Sequence, residues 1–557
     1  MKFLLISVPT PGHVNPLLSL AIELLEKNHT VEFMVSEIYI EKLKEKNIKN
    51  LILTSNGNVG FDQTFFSKMT NSTQESLFQL MFTVKNFALP RILSYLDAIV
   101  DILSLKFKVE KYDSLIVDFI LAPVTSVADI FNVPVIIYNP GVTPYGLYDP
   151  DAFSFPSWSY YLTPEMDFYS RLKNFVFKSF TEVIIFNLLN YKINDIQKKV
   201  GLNKTTRLEF FRKKLVISTS LPGLDFPLPR FPKMQLTGPC LNLKSNLRLS
   251  HELTAWLDDP VELPVVYVSF GSIGASPKHI TPMLNSVFQS FQKQVRFLFA
   301  TLALSQVQEV EKYKWSTNVR LEMNGVPQLN VLEHKSHCGG NSMFESMHFG
   351  KPILCIPLGA DQYTLANRVI YVEVGSAILT SEYDFENKLE NLIKLILKNA
   401  KYKKNAEDLG EWIRIQNSCS MQVNLIEASG KNLTKFLFPK QIQPNTQFFN
   451  FDLQFDVNAL KAKKNSLKVK ECIMSDLSSE IVKHNSNAVN FVNNFKEIGE
   501  FSDYEDNFSK FTSGFSESVK FLDDSLNNLK EKFEVTIESE NFYKEISERI
   551  EKIPIEK

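Results

Sequence analysis

Residues 326–362 read VPQLNVLEHKSHCGGNSMFESMHFGKPILCIPLGADQ. HCGGNS (337–342) stands directly before a helix expected near 341–349. Gly339 and Gly340 allow close backbone approach, and a helix N-terminus offers N–H groups to an anion. His337, Asn341 and Ser342 add side-chain hydrogen bonds, so the run suits a diphosphate. Glu345 lies one turn into the helix, where a carboxylate can accept bonds from ribose hydroxyls. PILCIPL (352–358) reads as a buried strand, and Asp361-Gln362 follow its end, where they can meet sugar hydroxyls. Each piece is weak alone; the ordered string is specific.

Working outward, the stretch belongs to a parallel α/β series. PVVYVSF (264–270) is an apolar run closed by Gly271-Ser272, a further phosphate contact. A helix near 278–292, VRFLFA (295–300) and VRLEM (319–323) follow. An earlier series has the same grammar. KFLLISV (2–8) is followed by helical spacing over PLLSLAIELLEK (16–27) and then HTVEFMVS; SLIVDFI (114–120), a helix near 122–131, VPVIIY (133–138) and LVIST (215–219) complete it. The Pro-rich residues 221–250 read as an extended linker. Two parallel-sheet domains are expected, with ligands outside the carboxyl ends of their strands.

The chain has 557 residues and carries Lys+Arg 61 against Asp+Glu 62, a balance that argues against nucleic acid as its main partner. Hydrophobic content of 44% and charged content of 22% are those of a globular protein. The five cysteines are scattered without a C-x-x-C, so neither a disulfide framework nor a zinc site is expected, and a reducing, cytoplasmic setting fits. No 18 apolar residues run together, so no transmembrane segment is expected.

Two further residues bear on chemistry. His13, in GHVNP (12–16), is expected in the loop after the first strand, before the first helix. A neutral imidazole at that edge can act as a general base. Asp118 ends SLIVD and can orient such a base. Alone, such a histidine is more often structural, and such an aspartate is more often a helix cap. They support each other only if the fold brings them together.

With these residues in view, the chain resembles the family 1 UDP-glycosyltransferases of GT-B fold. The matching segments are GHVNP (12–16), TGP (237–239) ahead of Trp256-Leu257-Asp258, VVYVSFGS (265–272), VPQ (326–328), HCGGNSMFE (337–345) and PLGADQ (357–362). The resemblance covers roughly 2–435. It implies an acceptor-binding Rossmann-like domain over 1–235 and a UDP-sugar-binding one over 236–436. It also implies inverting transfer from a UDP-sugar to a hydroxyl of a small, often lipophilic acceptor; no metal-ligating cluster is visible in the sequence, so no metal or other cofactor is expected. His13 would be the catalytic base and Asp118 its partner. Gln328 would face uridine; Ser272, His337, Gly339, Asn341 and Ser342 the diphosphate; Glu345 the ribose; Asp361 and Gln362 the sugar. The rivals are another GT-B enzyme, such as a UDP-sugar epimerase, and a binding or scaffold protein with an impaired donor site.

The chain departs from the family at two places. A tryptophan usual two residues before Pro-Gln is replaced by Gly325. About six residues expected between Ser336 and His337, a central strand ending in Phe-x-Thr, are missing. Beyond the resemblance, 437–557 is a separate segment. From Phe491 to Phe533 apolar residues recur every three or four positions, which predicts helices packed on each other or on the body, with a coiled coil that self-associates or binds a protein partner through 489–533 as the sharper reading.

Overall fold

The computed structural model describes residues 1–52, 89–142, 166, 170–171, 174, 187–226, 230–231, 233–243, 248–259, 263–271, 280–301, 304–323, 325–334, 342–358 and 362–433. The chain divides into Met1–Lys440 and Gln441–Lys557. The second unit, with the 489–533 stripe, lies outside the described residues.

The first sheet holds β1 (Lys2–Ile6), β2 (Thr30–Val35), β3 (Lys49–Ile52), β4 (Ser114–Asp118), β5 (Val135–Asn139), β6 (Leu215–Ser218) and β7 (Met234–Leu236). Their order is β3-β2-β1-β4-β5-β6-β7, parallel throughout. Strands buried on both faces need continuous apolar runs, and KFLLI and SLIVD supply them. Phe3 and Leu5 point to one face, packed by α1 (Pro11–Glu26); Leu4 and Ile6 point to the other, packed by Tyr95, Leu96, Ile99 and Leu103 of the Leu89–Val109 helix. The connections carry α2 (Ile40–Lys44), α3 (Leu89–Val109), a 3-10 turn (Phe119–Val124), α4 (Thr125–Ile130), α5 (Asn187–Lys199) and α6 (Arg207–Arg212).

The Pro-rich segment after β6 is more than a linker: it contributes β7, and Leu221, Leu224, Asp225 and Phe226 are buried. Proline did not exclude a strand here because β7 is a sheet edge of three residues that fits between Pro232 and Pro239.

The second half follows α7 (His251–Leu257) with β8 (Val265–Ser269), α8 (Ile280–Ser290), β9 (Arg296–Ala300), α9 (Leu304–Val310), β10 (Val319–Glu322), α10 (Gln328–His334), α11 (Ser342–His348), β11 (Ile353–Cys355), α12 (Gln362–Tyr371) and β12 (Gly375–Ala377). Among the described residues its strands form two separate pieces, β10-β9-β8 and β11-β12. The first half shows the contrast. There, β4 lies between β1 and β5 and is buried along its whole length. No described strand stands between β8 and β11. Val266, Val268 and Ser269 of β8, with Leu354 and Cys355 of β11, are only partly buried. The chain between α10 and α11, where the missing strand would be, is 335–341.

Three helices close the unit: α13 (Phe385–Lys398), α14 (Ala400–Ile415) and α15 (Ser418–Gly430). The last crosses back to the first half, where Val423 and Ile426 join the core beneath α1. Gln422 donates to Thr237 Oγ1 (3.0 Å) and the Gly238 carbonyl (2.8 Å), and its amide oxygen accepts from Tyr138 (3.3 Å). Beside it, Cys240 and Cys419 are joined in a disulfide. That corrects the expectation of no disulfides: the residues are far apart in sequence, and only the return of α15 brings them together. No described helix is long and apolar enough to cross a membrane.

Candidate active site

His13 does not sit in a loop. Thr10 stands at the N-cap position of α1 without a side-chain capping bond, Pro11 occupies its first turn, and His13 is the third helical residue. Proline is favoured there because its missing N–H would have had no helical partner. Pro16, where the sequence placed the helix start, lies inside α1. Parallel pairing of β1 with β4, Ile6 opposite Val117, puts the carboxyl ends of both strands side by side. Two residues 105 positions apart therefore meet: His13 Nδ1 is 2.6 Å from Asp118 Oδ2.

Asp118 is fully buried, whereas His13 keeps 23% of its side chain exposed. The two aspartate readings prove compatible. Oδ1 caps the following 3-10 turn by accepting from Ile120 N–H (3.0 Å), and Oδ2 holds the imidazole. A carboxylate on Nδ1 selects the tautomer with the proton there and the basic lone pair on Nε2. Its charge, after burial, also helps push the hydroxyls of Tyr95 and Tyr138 well above the usual tyrosine range.

In the second half a hydrogen-bonded line runs through the candidate nucleoside contacts. Tyr267 of β8 donates to Gln328 Oε1 (3.1 Å), and Gln328 Nε2 donates to Glu345. Burial raises the Glu345 carboxyl to about 7, and the Gln328 bond opposes that rise. Tyr267 escaped the sequence reading; its signal was a tyrosine inside a buried strand, whose hydroxyl needs a partner. Glu345 is held in place from behind, where α11 packs on α14. A Cβ at Gly410 would lie 2.6 Å from the Met347 carbonyl, so the crossing needs glycine.

Gln362 opens α12, and its Oε1 accepts from Leu358 N–H (2.8 Å), which fixes the orientation of its amide. Gly325, where the family's tryptophan is usual, has φ +72° and donates its N–H to the Thr301 carbonyl (2.9 Å). A tryptophan would be strained in that backbone, so the departure at this position suits the chain path. Ser272, His337, Gly339, Asn341 and Asp361 lie outside the described residues; Ser342 begins α11, with its side chain outside the description.

Residues 4–416 match the family description "UDP-glucoronosyl and UDP-glucosyl transferase". The chain belongs to that family. It is 27% identical over 314 residues to UDP-glucuronosyltransferase 3A1 of Xenopus laevis, covering 54% of this chain and 59% of that protein. It is 26% identical over 320 residues to 2-hydroxyacylsphingosine 1-beta-galactosyltransferase of Rattus norvegicus, covering 55% and 56%. The matched region thus spans little more than half the length of these relatives. Among solved structures, the glycotransferase of kitacinnamycin superposes with a TM-score of 0.57 at 16% identity, covering 77% of this chain and 98% of that one. At that identity the likeness establishes the GT-B fold alone. Both α/β halves of this family member follow the fold expected, apart from the split second sheet.

Proposed function

We propose that this UDP-glycosyltransferase moves a sugar, with inversion, from a UDP-sugar to a hydroxyl of a small lipophilic acceptor. The His13–Asp118 pair at the carboxyl edge of the first sheet carries the reading. The acceptor O–H gives its proton to His13 Nε2 while its oxygen bonds to the anomeric carbon. The anomeric carbon–oxygen bond to UDP breaks on the opposite face, and the electron pair leaves with the diphosphate. Asp118 stabilises the imidazolium so formed.

Gln328 and Glu345 serve uridine and ribose, and Gln362 and Asp361 the sugar. Ser272, His337, Gly339, Asn341 and Ser342 serve the diphosphate, as the motif spacing suggests. Proton acceptance by an imidazole and diphosphate departure onto N–H donors need no metal, so we propose a metal-independent reaction. The sphingosine-derived acceptor named for the rat relative supports the lipophilic class. Family membership and the dyad favour the enzyme over the scaffold rival. The 489–533 stripe is a proposed site of self-association or partner binding, which its 3–4 spacing supports; the cytoplasmic location expected from the cysteines loses that ground with the Cys240–Cys419 disulfide.

The test is His13→Ala, assayed with UDP-glucose and a panel of lipophilic alcohols beside a UDP-binding titration. Transfer should fall about 10²–10⁴-fold with UDP affinity unchanged. Wild-type turnover in the variant would remove His13 from the mechanism.

A further inference from the structure

The segment that leaves β6 carries a buried acid into contact with the second half. Asp225 has a fully buried side chain, and its Oδ1 lies 2.9 Å from Arg368 Nη2 on α12, itself 3% exposed. The same oxygen accepts from the Phe226 N–H at 3.1 Å. The guanidinium also sits 3.6 Å above the centroid of the Phe226 ring. Phe226 in turn meets Tyr371 edge-on at 5.1 Å, one turn beyond Arg368 on the same helix face. Around this contact Leu221 and Leu224 pack with Leu365 and Val369 of α12 and with Met343 and Met347 of α11. The first half thus grips α12 through an ion pair, a ring and an apolar collar, all from one short segment.

An ion pair in such surroundings is a poor source of stability, because desolvation offsets the attraction, but it is strict about geometry. A planar guanidinium held by a carboxylate and a ring face has few alternative placements. The helix it fixes begins with Gln362. We propose that Arg368 is a positioning residue for sugar transfer: paired with Asp225 and seated on Phe226, it registers the helix that presents Gln362 against the half that holds His13. The inference rests on the proposed transfer reaction for its kinetic consequence, and on the described contacts for its structural one.

The informative variant is the double replacement Arg368→Met with Asp225→Leu. It removes both charges and keeps the volume apolar, so the fold is expected to survive. Arg368→Lys, which keeps the charge and loses the fork, is its companion. Two readouts are taken on the full chain: the distance distribution between spin labels on exposed Lys27 of the first half and exposed Lys388 of the second, and kcat and KM for UDP-glucose.

The expected result for the double variant is a melting temperature close to wild type, a broadened distance distribution, and a kcat reduced about tenfold or more with KM changed less than threefold. Arg368→Lys should fall between. A distribution as narrow as wild type, or a kcat per folded molecule unchanged, overturns the proposal and leaves the pair merely structural. If wild type itself shows no transfer while the double variant still broadens the distribution, the transfer reading fails and the registration stands. If neither transfer nor broadening appears, both fall.

Discussion

Inserting six residues of the Val-Gly-x-Phe-x-Thr kind between Ser336 and His337 should convert the split second sheet into a continuous one. β8 is paired over five residues with β9 on one side, and β11 over three with β12. A strand laid between β8 and β11 gains on the order of eight backbone hydrogen bonds at about 1 kcal/mol net each. Ordering six residues costs about 1–2 kcal/mol apiece, so these two contributions roughly cancel. What remains is apolar burial. The new side chains would cover the partly buried Val266, Val268 and Leu354, and two or three of them at about 2 kcal/mol each give roughly 5 kcal/mol. For a domain near 200 residues that is a rise in melting temperature of about 10–20 °C. Thermal unfolding of the second half and UDP-glucose titration, with and without the insert, measure it. The repaired chain should also bind donor more tightly, because the insert leads directly into HCGGNS. Equal melting temperatures and equal affinities would refute the reasoning, and would mean that β8 and β11 lack nothing.

Asp118→Asn keeps an oxygen for the Ile120 cap and removes the charge that fixes the His13 tautomer, so transfer should drop about 10²–10⁴-fold in a steady-state assay while the chain stays folded. Glu345, raised to about 7, holds a proton in the folded chain that the unfolded chain releases near 4.5; stability should therefore fall, by up to about 3 kcal/mol, as pH rises between those values, and Glu345→Gln should flatten that slope in denaturant melts. Donor affinity should rise through the same window if the ribose hydroxyls need the ionised carboxylate, which calorimetric titration at pH 6 and 8 will read. Cutting the chain after about residue 437 should leave the α/β body folded and monomeric by sedimentation, since the crossing helix α15 ends at Gly430; aggregation of the shortened chain would show that the remainder is needed.

The sequence made the doubly wound halves legible because buried parallel strands cannot hide: KFLLI, SLIVD and RFLFA each carry an unbroken apolar run between polar ends or beside one. What it concealed had weaker local signals. β7 is three residues in a proline-rich context, and β3, KNLI, is half polar because it lies at the sheet edge. Gly12 and Pro16 on either side of His13 suggest a loop, yet Pro11 lets the helix begin before them. Its partnership with Asp118 was readable only through the expected strand order, whereas Tyr267, Arg368 and Asp225 act through contacts that no motif spacing announces. The departure before His337 is visible as a length, and among the described residues the second half has two pieces of sheet where the first half has one.

The bond between Cys240 and Cys419 spans 179 positions and encloses every strand of the second sheet. The second half is therefore a covalent ring joined to the first half where the disulfide closes it. A protease that cuts once anywhere between those cysteines opens the ring without releasing a fragment, so a nicked chain runs as one band until it is reduced. Closing a loop of that length also removes freedom from the unfolded chain worth about 5 kcal/mol in the chain-entropy account. That is comparable to what the insert would supply, so the half whose described strands form two pieces is the half tied shut.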